Sequence, residues 1–373
     1  MIPRPDAECP FAPAPGRGRS WKIVLPLLLV IVLGVAWTVF WYYAAGTAER
    51  LIADWRARQA QAGRVVTCGE QTIGGFPFRI EVRCADARVE LTGGSAPPVA
   101  LRLRDMAVLA QVYDPRLLIA EFTGPLEVGE PGRPAHMVAT WATARSSVRG
   151  RPAAPERLSL AIDGLKVDWV QDAQPVARAD HVELHARQAP AVAGDEPAFD
   201  IVLRLAAALA PQAGPLGARP TDADVTAVLY GLKTLAPKPM AVRLREWQAA
   251  GGRLEVKSAR VRQGESVSAA AGTLALTARG GLDGALQLTA AGLEHLLPAL
   301  GLDRLAGPMA LLGNLGRRPP GAGEAREANA GLLSLLGPRG EIDGRPAFTV
   351  PLRFSDGAVT LGPVPVGRVP PLF

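Results

Sequence analysis

Residues 181–185, His-Val-Glu-Leu-His, carry the most reactive side chains at a regular spacing. In a strand, His181, Glu183 and His185 share one face, with about 7 Å between successive members. Two imidazoles and a carboxylate are zinc-ligand types, but a zinc site needs a third or fourth ligand and a supporting outer shell. The other histidines are His136 and His295. Val182 and Leu184 already explain the pattern as an inward apolar pair, so the histidines read as an outward polar face. Cys68 and Cys84 are the second candidate pair. They lack the Cys-x-x-Cys spacing that lowers a thiol pKa. In an oxidising compartment they suit a structural disulfide that stabilises by roughly 3 kcal/mol. The alternative is two small buried hydrophobes. Cys9 then stays a free thiol. Phe76, Pro77 and Phe78 follow two glycines at a turn. They either contact lipid or a partner, or cap the core at a sheet end.

No Gly-x-Ser-x-Gly elbow, phosphate-cradling glycine loop or helical His-Glu-x-x-His is present. The acidic residues offer no pair for glycoside chemistry. The expectation is therefore a non-enzyme, with no catalytic residue, metal site or cofactor.

The element that must position everything else is residues 23–45, which carry no charged side chain. As a helix this length covers the roughly 30 Å hydrocarbon layer of a bilayer. Trp21 at one end, and Trp37, Trp41, Tyr42 and Tyr43 at the other, form two aromatic belts. A cleavable signal peptide is the competing reading, with a cut near Ala44-Ala45-Gly46. Its apolar core would usually be shorter and end in small residues. Arg17, Arg19 and Lys22 precede the span and favour a cytoplasmic amino terminus. The body would then lie in the periplasm, with the inner membrane as its first partner.

The net charge of +6 and pI near 9.6 do not imply nucleic-acid binding. Of 41 basic residues five are lysine, and the arginines are scattered through strand-like segments rather than clustered with aromatics.

Residues 1–20 suit a disordered tail, 21–45 the anchor, and 46–63 a helical stalk ended by Gly63. From Val65 the period becomes two. Phe78, Ile80, Val82 and Cys84 alternate with charged residues, and the alternation resumes out of phase at Ala87, which predicts a bulge near Ala85–Asp86. The same alternation returns at Leu158/Leu160/Ile162, Phe199/Ile201/Leu203/Leu205, Leu286/Leu288 and Phe348/Val350/Leu352/Phe354. Turn signals such as Asp163-Gly164 and Asp343-Gly344 separate these runs. The fold class is mainly β with some α: a large antiparallel body, either a curved sheet or a sandwich, with short helices. Helices are expected at Thr221–Leu235, in two pieces over Leu293–Leu315, and at Ala325–Leu336. The 211–220 loop divides a first β-rich half, 64–220, from a second, 221–373, with helical insertions.

The run Gly63 to Cys84, centred on Gly75-Phe76-Pro77-Phe78-Arg79, resembles a proteobacterial envelope family catalogued only as a domain of unknown function. Residues 252–256, 281–284 and 354–365 resemble it too. The resemblance implies an inner-membrane anchor, a periplasmic body and no catalytic residues to carry over. More distantly the alternation is similar to that of the AsmA-like envelope proteins, whose long curved sheets carry an apolar groove and are linked to lipid traffic. Two functions follow as expectations: an amphiphile-binding envelope protein, or a structural module that docks on other envelope proteins.

Overall fold

The computed structural model describes residues 21–92, 97–151, 154–189, 196–213, 217–233, 238–292 and 338–373. The expected tail and the expected helices over Leu293–Leu315 and Ala325–Leu336 lie outside these residues.

The first element is helix α1 (Trp21–Gln61), 41 residues long. The stretches expected as anchor and stalk thus form one helix, about 60 Å long at 1.5 Å per residue. Pro26 sits in its second turn. Gly63, at φ +72°, ends it.

The body is one antiparallel sheet of seventeen strands. Its first nine are β1 (Arg64–Gly74), β2 (Arg79–Leu91), β3 (Val99–Gln111), β4 (Asp114–Gly129), β5 (Met137–Thr140), β6 (Thr143–Arg151), β7 (Ala154–Trp169), β8 (Pro175–Gln188) and β9 (Ala198–Ala208). Then come β10 (Thr221–Tyr230), helix α2 (Met240–Ala249), β11 (Arg253–Gln263), β12 (Ser266–Leu276) and β13 (Leu282–Ala291). The last four are β14 (Arg339–Ile342), β15 (Arg345–Ser355), β16 (Ala358–Leu361) and β17 (Val364–Arg368). Each strand pairs with its neighbour in the chain, with two local variations. β5 and β6 share the place between β4 and β7, and β14 and β16 share one side of β15, with β13 on the other. β9 and β10 pair directly, so the sheet runs unbroken past the 211–220 loop.

The helix expected at Thr221–Leu235 is instead strand β10 over Thr221–Tyr230. Val225, Val228, Leu229 and Leu232 fit a helical face. Ala223, Val225, Ala227 and Leu229 fit a strand equally well, and their partners on β9 and β11 are apolar. Tertiary pairing and the β-branched residues Thr221, Val225, Thr226 and Val228 decide the outcome. Helix α2 was not anticipated. Its Met240, Leu244 and Trp247 stand at i, i+4 and i+7, but no side chain caps its start.

The phase change at Ala85–Asp86 is real, but no residue is inserted there. Cys68 pairs with Ala87 and Glu70 with Ala85, so the β1–β2 register is the same on both sides. Asp86 simply adopts the left-handed conformation, φ +52°, opposite Gly69. The same height carries a break in strand after strand. Arg104 of β3 stands against two residues of β4, Gly124 and Pro125. The gap between β5 and β6 falls at Trp141–Ala142, Gly164 of β7 has φ +63°, and Ala207 of β9 has φ +49°. A crease therefore crosses the sheet from β1 to β9.

Candidate functional site

The residue-by-residue register places the alternating aliphatics on one continuous face. Leu160 pairs with Leu184, Leu184 with Leu203, and Leu203 with Val225. Ile162, Val182 and Leu205 form the next row. All of these are half-buried, although, apart from Ser146 beside Leu160, their cross-strand neighbours on the face are apolar. In a packed interior such central residues would be closed off from water.

The described hydrophobic clusters explain why. One joins Cys84, Ala87 and Leu103 with Cys68, Met106 and Phe122, all on adjoining strands. Another gathers Phe199, Leu232 and Leu276 under Trp247 of α2. Trp247 is 8% exposed and its indole N–H donates to the Tyr230 carbonyl at 2.7 Å. Helix α2 thus covers one end of the face, over β9 to β13. These two clusters join neighbouring strands and α2, and neither reaches over the middle rows on β7 to β10.

The second feature is the junction between α1 and the β1–β2 turn. The Trp37 indole N–H donates to the Pro77 carbonyl at 2.9 Å, and the Trp41 indole N–H donates to the Arg79 carbonyl at 2.9 Å. Trp41 is only 5% exposed. Phe76 packs edge-on against Trp41 with ring centres 5.5 Å apart, and Phe78 lies 6.3 Å from Trp37. Higher up, Arg56 of α1 donates to Gln71 at 2.6 Å and lies 3.1 Å from the Cys68 sulfur. The helix therefore runs along edge strand β1, from the turn to beyond its middle. Gly75 makes the turn feasible: at φ +97° a Cβ there would stand 2.7 Å from the Arg79 carbonyl oxygen.

Of the residues singled out from sequence, the structure brings five together here: Trp37, Trp41, Phe76, Pro77 and Phe78. Trp21, Tyr42 and Tyr43 remain on the exposed surface of α1. Cys68 and Cys84 are disulfide-bonded, with Cα atoms 5.5 Å apart. The bond crosses the crease between β1 and β2 on the apolar face. Sequence reasoning placed the aromatics near a membrane but missed that two helix tryptophans reach them. The signal was the pair Trp37 and Trp41, spaced to lie on one side of a helix.

The histidines lie on the opposite, polar face. His181 Nδ1 is 2.6 Å from Asp163, and His185 Nε2 is 2.7 Å from Glu183, which Arg204 also reaches at 3.1 Å. The Thr143 hydroxyl and then His181 hold the Asp163 carboxyl below its ordinary pKa. His185 and then Arg204 do the same for Glu183. No grouping suited to a metal ion occurs among the described residues. The same face carries an open cleft of about 550 Å³ lined by Arg149, Arg157 and Arg187 with Glu156. Asp114 and Asp200 take up the charges of Arg149 and Arg187.

No curated protein matches the chain. The model of a family described as an uncharacterized protein conserved in bacteria (DUF2125) matches residues 41–370. That span opens on the tryptophan that holds Arg79 and takes in the Gly-Phe-Pro-Phe-Arg turn, the disulfide and the whole sheet, and the chain belongs to this family.

Proposed function

We propose that this is a non-catalytic, inner-membrane-anchored periplasmic protein that binds the apolar part of a lipid or another amphiphile along its sheet face. The observation that carries this is the middle of that face. Leucine, isoleucine and valine rows run across β7 to β10 half-buried, flanked by one covering helix at the end. A contiguous apolar surface of this kind marks an interaction site. Aliphatic rows without aromatics suit acyl chains, which pack by dispersion and shape rather than by hydrogen bonds.

The anchor is supported by its contacts. Tryptophans 37 and 41 of the apolar span hold the body through side-chain hydrogen bonds, and cleavage after residue 45 would remove both. The disulfide suits an oxidising compartment. A docking module that adds strands to partners has less support, because both sheet edges are blunted. α1 lies along β1, and Pro365 sits within β17.

Native mass spectrometry of the full-length protein, released from lipid nanodiscs before and after delipidation, tests the proposal. Retained lipid that is lost on delipidation and regained on adding a fatty acid or phospholipid is the expected result. A protein that stays bare under all three conditions would overturn it.

A further inference from the structure

Phe76 and Phe78 are 53% and 64% exposed, although each touches a tryptophan of α1. They are not core caps. Val39 and Phe40 on the same helix are exposed as well. We propose that the β1–β2 turn, residues 75–78, is a membrane wedge: it lies within the leaflet next to the body, with both phenylalanine rings among acyl chains. The proposal rests on α1 being a spanning anchor.

Depth follows from the helix. Trp37 precedes Tyr43 by six residues, about 9 Å along the axis. If the Tyr42–Tyr43 belt marks the headgroup level, the carbonyl of Pro77 is held roughly that far beneath it. Phe78 lies beside Trp37, whose ring is itself 5.7 Å from that of Phe40.

The backbone gives an independent argument. Hydrocarbon offers no partner to a carbonyl, so irregular backbone at that depth must be satisfied by protein. Here the carbonyl of Gly75 accepts from the Arg79 amide at 3.1 Å, and that of Phe78 from the Val112 amide at 3.1 Å. The Pro77 and Arg79 carbonyls accept from the two indoles. Pro77 itself has no amide hydrogen to satisfy. In water these carbonyls would need no tryptophan, since solvent would serve. Polar surface resumes at once with Arg79, whose exposed guanidinium pairs with Glu81 at 3.0 Å, at a height that suits headgroups. Ile80 and Val82 continue from there on to the apolar face, so the wedge joins that face to the bilayer.

Site-directed spin labelling of the full chain tests this. Cys9→Ser leaves the disulfide as the other cysteine pair. Labels then go singly at Phe78→Cys, Phe76→Cys, Val39→Cys on the helix and Val170→Cys at the far end of the sheet. The protein is placed in vesicles of phosphatidylethanolamine and phosphatidylglycerol. Collision rates with oxygen, which partitions into hydrocarbon, and with a polar nickel chelate are compared. We expect oxygen to exceed the chelate at 39, 76 and 78, and the order to reverse at 170. A hydrocarbon signature at 39 with an aqueous one at both 76 and 78 would overturn the wedge alone. An aqueous signature at 39 would overturn the anchor, and the wedge with it.

Discussion

At the residue scale, three small features set local behaviour. Cys84 is 2% exposed and bonded to Cys68 across the crease. A bridge of this loop size stabilises by roughly 3 kcal/mol through restriction of the unfolded chain. Cys84→Ser with Cys68→Ser is expected to lower the thermal midpoint by several degrees, read by circular dichroism, and adding reductant to the native protein should have a similar effect. The two carboxylates of the polar face predict a pH response. Their pKa values are lower in the folded chain than in the unfolded one, because Thr143 and His181 hold Asp163 and His185 and Arg204 hold Glu183. Their contribution is therefore present above the unfolded value, about 4, and is lost as pH falls through the lowered folded values. Both groups are solvated, so the effect is small. A series of thermal melts from pH 6 downward should show a decline that is shallower in Glu183→Gln. The outward placement of His181 and His185 was legible from Val182 and Leu184 alone. The carboxylate partner of His181 on β7, Asp163, was not, because pairing between strands fixes it.

At the element scale, α2 is the cover most exposed to test. Trp247 fills the space above Phe199 and Leu276, and a Cβ added to Gly252 would lie 2.2 Å from its indole nitrogen. Trp247→Ala should cost about 3–5 kcal/mol, the usual range for removing a buried aromatic, measured by denaturant unfolding. Gly252→Ala should destabilise as well, because the indole cannot yield without losing Tyr230. Strands with regular alternation, such as β2 and β15, could be read directly from the chain. β10 could not, because Val225, Val228 and Leu229 satisfy both periods and only the ladders to β9 and β11 choose between them. The crease was visible in β2 alone, where charged residues mark the phase. In β1 and β7 its positions are Gly69 and Gly164, which carry no hydropathy signal.

At the scale of the whole molecule, one long helix, one sheet and the short covering helix α2 dominate the described protein, and α2 closes the sheet's apolar side at one end. That arrangement gives the amphiphile proposal a direct test. Leu184→Asp, in the centre of the face, should reduce uptake of a fluorescent fatty acid at least tenfold while far-ultraviolet circular dichroism stays unchanged, because a half-buried site can hydrate the new carboxylate. Glu183→Gln, on the other side of the same strand, should leave uptake as it is. The size of the strands has a further consequence. β2 has 13 residues and β4 has 16, which at about 3.3 Å per residue gives a rise of roughly 40–50 Å. With the helix lying along β1, that rise starts at the turn held by Trp37. On the amphiphile proposal, a molecule climbing from there arrives at a rim of fixed altitude. To go farther it would have to be taken up by a separate acceptor standing above that rim.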